Sequence, residues 1–427
     1  MHSLRAYIIT RTLLTIPMLF VLVTLVFFVL HVMPGDPVEA LIRPGAPQAY
    51  IDGIRHSLGL DRPLPEQYVD YLGRLLSFEF WITPETEATS AGEALKPTAE
   101  VLIPPQDAKL AFRFAPPIYF QALLIPDDVR FGVGIWPGQK LGHDSYLLKF
   151  PPSDTDLEKL PIQFAFIDMG QSISPVRGRP VVWDIAEKFP ATLELAICSI
   201  TITLLVGVST GAYAAHKRRS AADYTFRIYS IIIYAMPVFW LGLMLQLIFG
   251  VGLNLLPVYG RIDTGLEPTR ITGLYLVDSL VTLNLPAFGN AFGHLLLPSL
   301  TLGLYLSGIF VRLTRANMLG TLQQDFITAA RARGVPERVV VYKHALLNAF
   351  IPILTMMGLQ FAALLAGAVL TETTFSWPGM GSFIAERISY RDFNSIQGSV
   401  VFFAIMVATV SLLVDIVYAR LDPRIRY

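Results

Sequence analysis

The stretch QDFITAARARGVPERVVVYKHALLNAFIP, residues 324–352, decides the fold prediction for the whole chain. It is the longest polar, basic passage among the hydrophobic runs of the C-terminal half. A charged side chain at the centre of a membrane helix costs about 2.5–3.5 kcal/mol on insertion scales. The stretch is therefore predicted to lie outside the membrane, in a loop between two spans.

The composition supports this interpretation. The chain has 427 residues, of which 53% are hydrophobic and 15% charged, and its mean hydropathy is +0.52. These values indicate a membrane protein, and a formal net charge of zero gives no sign of a nucleic-acid partner. Cys198 is the only cysteine, so no disulfide can form within the chain, and we interpret it as a small packing residue.

The chain is predicted to be an all-α polytopic membrane protein with six transmembrane helices. An N-terminal segment, 1–33, has an apolar run that is followed by Met33-Pro34-Gly35-Asp36-Pro37 rather than by a small-x-small cleavage site, so it is interpreted as a retained span. Each run can cross about 30 Å of hydrocarbon as a helix. The five remaining spans, at about 193–215, 229–251, 295–311, 351–370 and 400–418, form a core predicted at 187–419.

The distribution of basic residues predicts that both termini are cytoplasmic, because short inner loops carry more Lys and Arg than short outer loops. The predicted inner residues are Lys217, Arg218, Arg219, Arg312, Arg315, Arg331, Arg333, Arg338, Lys343, Arg420, Arg424 and Arg426. The short outer loops carry Arg261, Arg270, Arg387 and Arg391. This places the loop at 312–349 and a tail at 420–427 in the cytoplasm.

The long segment after the first span is predicted to be extracytoplasmic and to have two parts. Residues 34–78 have helix-like apolar spacing, which indicates amphipathic helices on the outer membrane surface. Residues 79–166 are rich in proline, which excludes long helices and favours a small, β-rich domain over a partly disordered loop.

Small residues and prolines within the spans predict local features. Gly207 and Gly211 in the second span, and Ala363 and Gly367 in the fifth, are spaced to allow close helix packing. The prolines at 237 and 298 are predicted to kink or break the third and fourth spans.

The sequence contains no motif for an enzyme or an energy-coupling site. No glycine is followed by Lys-Ser or Lys-Thr, so no P-loop for ATP is present. Glu194, Glu372 and Asp415 are acidic, but they lie near predicted span ends, where a charge costs little. A membrane protein of this kind is either a passive pore or takes its energy from a partner.

The quoted stretch favours a partner. Apolar positions at Leu322, Phe326, Ala329 or Ala330, and Ala332 or Arg333 predict a short amphipathic helix. Gly334 can take the left-handed position that ends a helix, and a second helix is expected from Glu337. This elbow could dock in a groove of a soluble protein, and the alternative is a loop held on anionic lipid.

These residues resemble a known family. Thr328-Ala329-Ala330-x-x-x-Gly334 is similar to the E-A-A-x-x-x-G coupling motif of bacterial ABC importer permeases. The wider passage resembles the oligopeptide/dipeptide (nickel) permease family, in particular its first permease subunit. Thr328 stands where the general motif has Glu, so a role that needs a carboxylate is not implied there. The resemblance implies that the ATPase-coupling residues are Asp325, Thr328, Ala329, Ala330 and Gly334.

Other stretches extend the resemblance over roughly residues 1–78 and 167–427. They include the segment ending at Pro37, Gly59 to Leu64, Pro190 to Ala196, Leu297-Pro298, Phe375 to Gly381, Arg391-Asp392 and Leu421 to Arg426. The Pro-rich segment 79–166 departs from the family, where the chain usually continues directly to a Gly-Gln-Ser-like stretch, here Gly170-Gln171-Ser172. It is expected to touch a delivering binding protein or to shield the outer vestibule.

The resemblance implies a type I ABC importer permease in a bacterial or archaeal cell membrane. Its implied partners are a second, homologous permease subunit, two cytoplasmic ATPases and an extracytoplasmic substrate-binding protein. The chain itself is expected to bind no cofactor or metal, while ATP and Mg are used by the ATPases. The alternatives are a self-contained channel or ion-coupled carrier, and a membrane-anchored receptor or scaffold.

Overall fold

The computed structural model describes residues 4–32, 47–57, 61–75, 78–82, 121–125, 128–133, 162–165, 169–170, 172 and 181–421. The chain divides into two compact units, one formed by Met1–Ala40 with Gln171–Tyr427 and the other by Leu41–Gly170. Several predicted features lie outside the described residues, namely the motif at 33–37, the pair at 59–60, most of the Pro-rich segment and the residues after 421.

The described residues of the unit Leu41–Gly170 form two helices and one antiparallel sheet. After α1 (Leu4–Val32), which belongs to the other unit, the chain forms α2 (Gln48–Ser57) and α3 (Leu64–Leu75), in the region where the sequence predicts amphipathic helices. The strands are β1 (Phe78–Ile82), β2 (Gln121–Ile125), β3 (Asp128–Val133) and β4 (Ile162–Ala165), in the order β2-β3-β1-β4. The central strand β1 pairs Phe80 with Phe131 of β3 and with Phe164 of β4. Strands β2, β3 and β4 lie within the segment 79–166 predicted to be β-rich, and β1 begins one residue before it.

The other unit is a helical bundle. Its helices are α1 (Leu4–Val32), α4 (Val181–His216), α5 (Ala221–Ala235), α6 (Val238–Gly252), α7 (Tyr275–Val281), α8 (Leu285–Thr321), α9 (Asp325–Ala332), α10 (Glu337–Leu365), α11 (Val369–Thr374), α12 (Met380–Ser389) and α13 (Phe393–Leu421). In the described part of the chain, four helices are long and apolar enough to cross a membrane: α4, α8, α10 and α13. The bent pair α5–α6 makes a fifth if it is one span, and α1 contains the shorter apolar helix Ile16–Val29.

All six predicted spans coincide with helices, but the helices of the last five spans begin before the predicted starts, and the fifth also ends early. The second begins earlier than expected, at Val181. The fifth ends at Leu365 rather than near residue 370, because Gly367 takes φ +100°, a left-handed conformation that no helix continues through.

Proline has different effects in the third and fourth spans. Between α5 and α6 the chain bends by 103°. Pro237 holds Met236 in an extended conformation (φ −73°, ψ 136°), so the predicted break is confirmed there. By contrast α8 runs through Pro298 as one helix, so the chain does not break there, and a kink at that position stays a prediction.

Glycine allows α4 and α8 to pack closely. A Cβ atom on Gly207 would lie 2.6 Å from Cβ of Phe310, and one on Gly211 would lie 2.8 Å from Cβ of Thr314. On α8, a Cβ atom on Gly303 would lie 2.7 Å from Cβ of Ile202 in α4. The predicted packing role of Gly207 and Gly211 is thus confirmed, as expected where lipid gives helices no hydrophobic reason to associate.

For the fifth span, no such contact is formed within the described part of this chain. Ala363 is exposed, and Gly367 lies in a turn where it meets the backbone of Gly381 rather than another span. The close approach is real, but it joins the turn after α10 to the start of α12.

Candidate functional site: the elbow

The predicted elbow is present as a helix, a tight turn and a second helix. Helix α9 follows Gln324, whose extended backbone (φ −80°, ψ 153°) starts it, and Asp325 in the first turn suits the positive end of the helix dipole. Gly334 has φ +74°, and its N–H donates to the carbonyl of Arg331 at 2.9 Å. Pro336 then precedes the first residue of α10. The predicted glycine stop and the restart at Glu337 are both confirmed.

One face of α9, its underside, packs against the helical bundle. Ile327 and Ala330 are almost fully buried in one apolar cluster. The cluster also contains Ala212 and Ala215 of α4, Met318 of α8, and Val340, Val341, Ala345 and Ala349 of α10. A rigid displacement of α9 therefore has to displace the ends of three membrane helices, because a packed core does not deform continuously.

The apolar face differs from the one predicted by spacing. The sequence favoured Phe326 in the buried stripe, but its side chain is 36% exposed and Ile327 takes the buried place. A helix of eight residues makes little more than two turns, so a stripe shifted by one residue satisfies almost the same pattern.

The predicted coupling residues separate into two groups. Asp325, Thr328, Ala329 and Gly334 are exposed, and no atom lies within 4 Å of where a Cβ on Gly334 would be. Ala330 is 2% exposed and belongs to the apolar cluster, so it is not available as a surface contact in this conformation. The structure thus presents four of the five side-chain positions to solvent and uses the fifth for internal packing.

An ion pair that the sequence analysis missed crosses the elbow. Arg331 Nη2 lies 2.7 Å from Glu337 Oε1, and Arg331 Nε lies 3.1 Å from Glu337 Oε2. These hydrogen bonds to the carboxylate raise the pKa of the Arg331 guanidinium above its ordinary value. The pair could have been proposed from the opposite charges on either side of Gly334, although the separation of six residues fits no standard helical pairing.

A second polar network lies at the other end of α8. Helix α12 begins after Gly379, which has no capping side chain of its own. Its first turn is capped from elsewhere: Met380 N–H donates to Thr192 Oγ1 at 2.7 Å, and Ser382 N–H donates to Glu372 Oε2 at 2.8 Å. The Thr192 hydroxyl in turn donates to Glu372 Oε1 at 2.8 Å.

Glycine is required at position 379 by this arrangement. A Cβ there would lie 2.5 Å from Thr192 Oγ1 and 2.6 Å from Glu372 Cδ. Burial raises the pKa of the Glu372 carboxyl, although hydrogen bonds from Ser382, Thr192 and Gly381 oppose that effect. Trp377 adds a bond from its indole N–H to the carbonyl of Ala191 at 3.0 Å.

The same region contains a buried ion pair. Arg261 Nη2 donates to Glu194 Oε2 and to the carbonyl of Gly273, both at 2.8 Å, and its guanidinium lies 3.8 Å from the ring centre of Tyr275. Glu194 Oε1 also accepts from Leu276 N–H at 2.8 Å. The pair fastens the loop after α6 to α4.

The interpretation of Glu194 and Glu372 as cheap interfacial charges is therefore wrong. Their side chains are 6% and 0% exposed. Ion pairing and convergent backbone donors offset the desolvation cost for Glu194, and hydrogen bonding does so for Glu372. Spacing along the sequence could not reveal partners that lie 67 and 180 residues away.

The structure also explains why several quoted stretches occur together. Pro190 to Ala196 meets Phe375 to Gly381 through the Thr192 and Trp377 bonds. Similarly, Ser172 donates to Asp392 Oδ2 at 2.7 Å, which joins the residues after the Pro-rich segment to the start of α13. Among the described residues, no group of three or more His, Cys, Asp or Glu side chains could hold a metal ion.

These features define the class of the molecule: a multi-pass helical membrane protein whose exposed elbow is packed against three span-forming helices. The chain belongs to the family of binding-protein-dependent transport system inner membrane components, whose model matches residues 207–427. The N-terminal model of the same transport-system component matches residues 4–102.

Individual relatives agree with this assignment. The chain is 33% identical over 424 residues to the di/tripeptide transport system permease protein DppB of Pseudomonas aeruginosa, covering 99% of both chains. It is 40% identical over 264 residues to the dipeptide transport system permease protein DppB of Escherichia coli, covering 61% of this chain and 77% of that one. The glutathione transport system permease protein GsiC of Pectobacterium atrosepticum is 30% identical over 421 residues, with 99% of both chains covered.

Among solved structures, the inward-facing MetNI methionine ABC transporter matches 56% of this chain and 97% of its own, at 14% identity and a TM-score of 0.42. The family assignment rests on the sequence matches. The protein is a permease subunit of an ATP-driven importer, and as such it works in a membrane with ATPase and substrate-binding partners. The self-contained carrier and the receptor are set aside.

Proposed function

We propose that this chain forms the translocation path of an importer for dipeptides and similar small peptides, together with a second, homologous permease subunit. Relatives named for di/tripeptides and dipeptides support this substrate class. A relative named for glutathione, itself a small peptide, is consistent with it. An extracytoplasmic substrate-binding protein delivers the peptide.

Two cytoplasmic ATPases drive the cycle by moving α9. The observation that carries this proposal is the two-sided character of α9, with Asp325, Thr328, Ala329 and Gly334 exposed above a buried underside. A partner that grips the exposed side moves the ends of α4, α8 and α10 with it. The spans then exchange between inward-facing and outward-facing arrangements. ATP and Mg act at the ATPases, and this chain holds no cofactor.

The orientation follows from the basic residues of the elbow loop. Both termini and the loop 312–349 lie in the cytoplasm, and the membrane is the inner membrane of a bacterial or archaeal cell. The segments 34–78 and 79–166 lie outside, where the Pro-rich part contacts the binding protein or shields the vestibule.

The experiment uses the full transporter in proteoliposomes, with the ATPases inside and the loaded binding protein outside. Ala329→Trp places a large side chain on the exposed side of α9 without entering the apolar cluster. It should abolish uptake of a labelled dipeptide and the ATP hydrolysis that the loaded binding protein stimulates, because the ATPase groove can no longer close on the helix.

The matched control is Gly289→Trp at the opposite end of α8, where nothing lies within 4 Å of a Cβ. It should retain both activities. Normal stimulated hydrolysis by Ala329→Trp would contradict the docking role of α9. Uptake by this chain without the ATPases would contradict the whole proposal.

A further inference from the structure

The ion pair Arg331–Glu337 connects the two helices of the elbow directly. Arg331 lies in the last turn of α9 and Glu337 is the first residue of α10. Two nitrogens of one guanidinium meet the two oxygens of one carboxylate at 2.7 and 3.1 Å. This fork-to-fork contact fixes the direction of both side chains, whereas a single contact fixes only a distance.

The pair spans the weakest part of the elbow. Between the helices lie only Arg333 to Pro336, and Gly334 is in a conformation that glycine enters and leaves easily. A turn of this kind could bend under load. Without contacts that join the two helices, a movement of α9 would be absorbed at the glycine and would not reach the span that α10 forms.

The elbow is fastened on both sides of this turn. On the buried side, Ile327 and Ala330 of α9 pack with Val340 and Val341 of α10. On the solvent side the ion pair joins the same two helices. The Arg331 side chain is 43% exposed and the Glu337 side chain is 46% exposed. Two attachments on opposite sides of a turn resist bending in a way that one attachment does not.

We propose that Arg331 and Glu337 are positioning residues that make α9 and the start of α10 one rigid lever, so that movement of the ATPases reaches the fifth span. This inference rests on the proposed function, because it describes how force imposed on α9 is passed on. Neither residue needs to touch the ATPase for the lever to work.

The test measures substrate transported per ATP hydrolysed by the full transporter in proteoliposomes. Arg331→Gln and Glu337→Gln should each lower this ratio by about threefold, the scale of one well-formed surface ion pair. The reversed pair Arg331→Glu with Glu337→Arg should restore the ratio. Arg331→Lys should lie in between, because lysine keeps the charge and loses the fork.

The matched control is Arg338→Gln, which removes an exposed arginine next to Glu337 that makes no ion pair in the described part of the chain. It should leave the ratio unchanged. Co-purification of the ATPases with each variant shows that the elbow is folded and docked.

Two outcomes overturn the inference. The first is that Arg331→Gln and Glu337→Gln transport as much substrate per ATP hydrolysed as Arg338→Gln does. The second is failure of the reversed pair to restore coupling, which would assign Arg331 or Glu337 to direct contact with the ATPase. Failure of the proposed function looks different, since Ala329→Trp would then leave stimulated hydrolysis intact.

Discussion

Single buried residues set the geometry at the end of the bundle opposite the elbow. Glu372 accepts from Thr192 and from Ser382, and it thereby holds the start of α12 against α4. The carboxyl has no counter-ion within this set of bonds, so its ionised form is stabilised by hydrogen bonding alone. This makes its protonation a direct probe of the network.

Stability should depend on pH through Glu372. Burial raises the pKa of this carboxyl in the folded protein above its ordinary value of 4.5. The stabilisation is therefore fully present below pH 4.5 and is lost as pH rises through the raised value. As pH rises over that window, the melting temperature of the purified protein should fall. The melting temperature of the Glu372→Gln variant should fall less over the same window.

A matched control exists on the neighbouring helix α12, where Glu386→Gln changes an exposed carboxylate. Its pH profile should follow that of the unmodified protein. An unchanged slope in Glu372→Gln would mean that another group causes the dependence.

At this scale the sequence predicts residue types better than it predicts roles. Gly334 was correctly placed because glycine adopts φ +74° at no steric cost. The pattern left the apolar position open between Ala329 and Ala330, because an alanine on a short amphipathic helix fits both faces, and the structure buries Ala330. Arg261 was counted only as one outer basic residue, since its partner Glu194 is adjacent in space and not in sequence.

At the scale of elements, the long helices were the easiest feature to predict. A run of about 20 apolar residues has few structural alternatives in a membrane. The ends were harder, because they depend on tertiary capping: α4 begins before its apolar run, and α10 ends where Gly367 meets Gly381. Proline alone did not decide between a break and a continuous helix, as Pro237 and Pro298 illustrate.

The α4–α8 contact provides a prediction about elements. Gly207→Ala adds one Cβ that would lie 2.6 Å from Cβ of Phe310 and 3.2 Å from the carbonyl oxygen of Ser307. Overpacking of this kind costs about 1–3 kcal/mol. We expect a lower melting temperature and weaker binding of partner subunits, because α4 carries Ala212 and Ala215 of the apolar cluster under α9.

Gly320→Ala is the control for this change, since nothing lies within 4 Å of a Cβ at that exposed position of α8. Alanine there should be neutral or stabilising by up to about 1 kcal/mol, through helix propensity alone. Equal melting temperatures for the two variants would show that α4 and α8 separate easily at Gly207.

For the whole molecule, the arrangement along α8 relates the two candidate regions. This helix has 37 residues and so a length of about 55 Å at 1.5 Å per residue. Leu295, near its start, packs with Leu195 and Trp377, whereas Met318, near its end, packs under α9. The span predicted at 295–311 lies between them, so the elbow and the Glu372 network are expected on opposite sides of the membrane.

This arrangement makes the orientation testable with two exposed positions, Gln323 beside α9 and Thr269 in the loop after α6. In a background in which Cys198 is replaced by Ala, each position is changed to Cys and intact cells are treated with a membrane-impermeant maleimide. Thr269→Cys should react while the inner membrane is intact. In bacteria that have an outer membrane, this outer membrane is first made permeable to the maleimide. Gln323→Cys should react only once the inner membrane is permeabilised, because the basic residues around it stay inside. The reverse pattern would invert the molecule and remove α9 from the reach of any cytoplasmic ATPase, while labelling of both positions from outside would rule out a transmembrane α8.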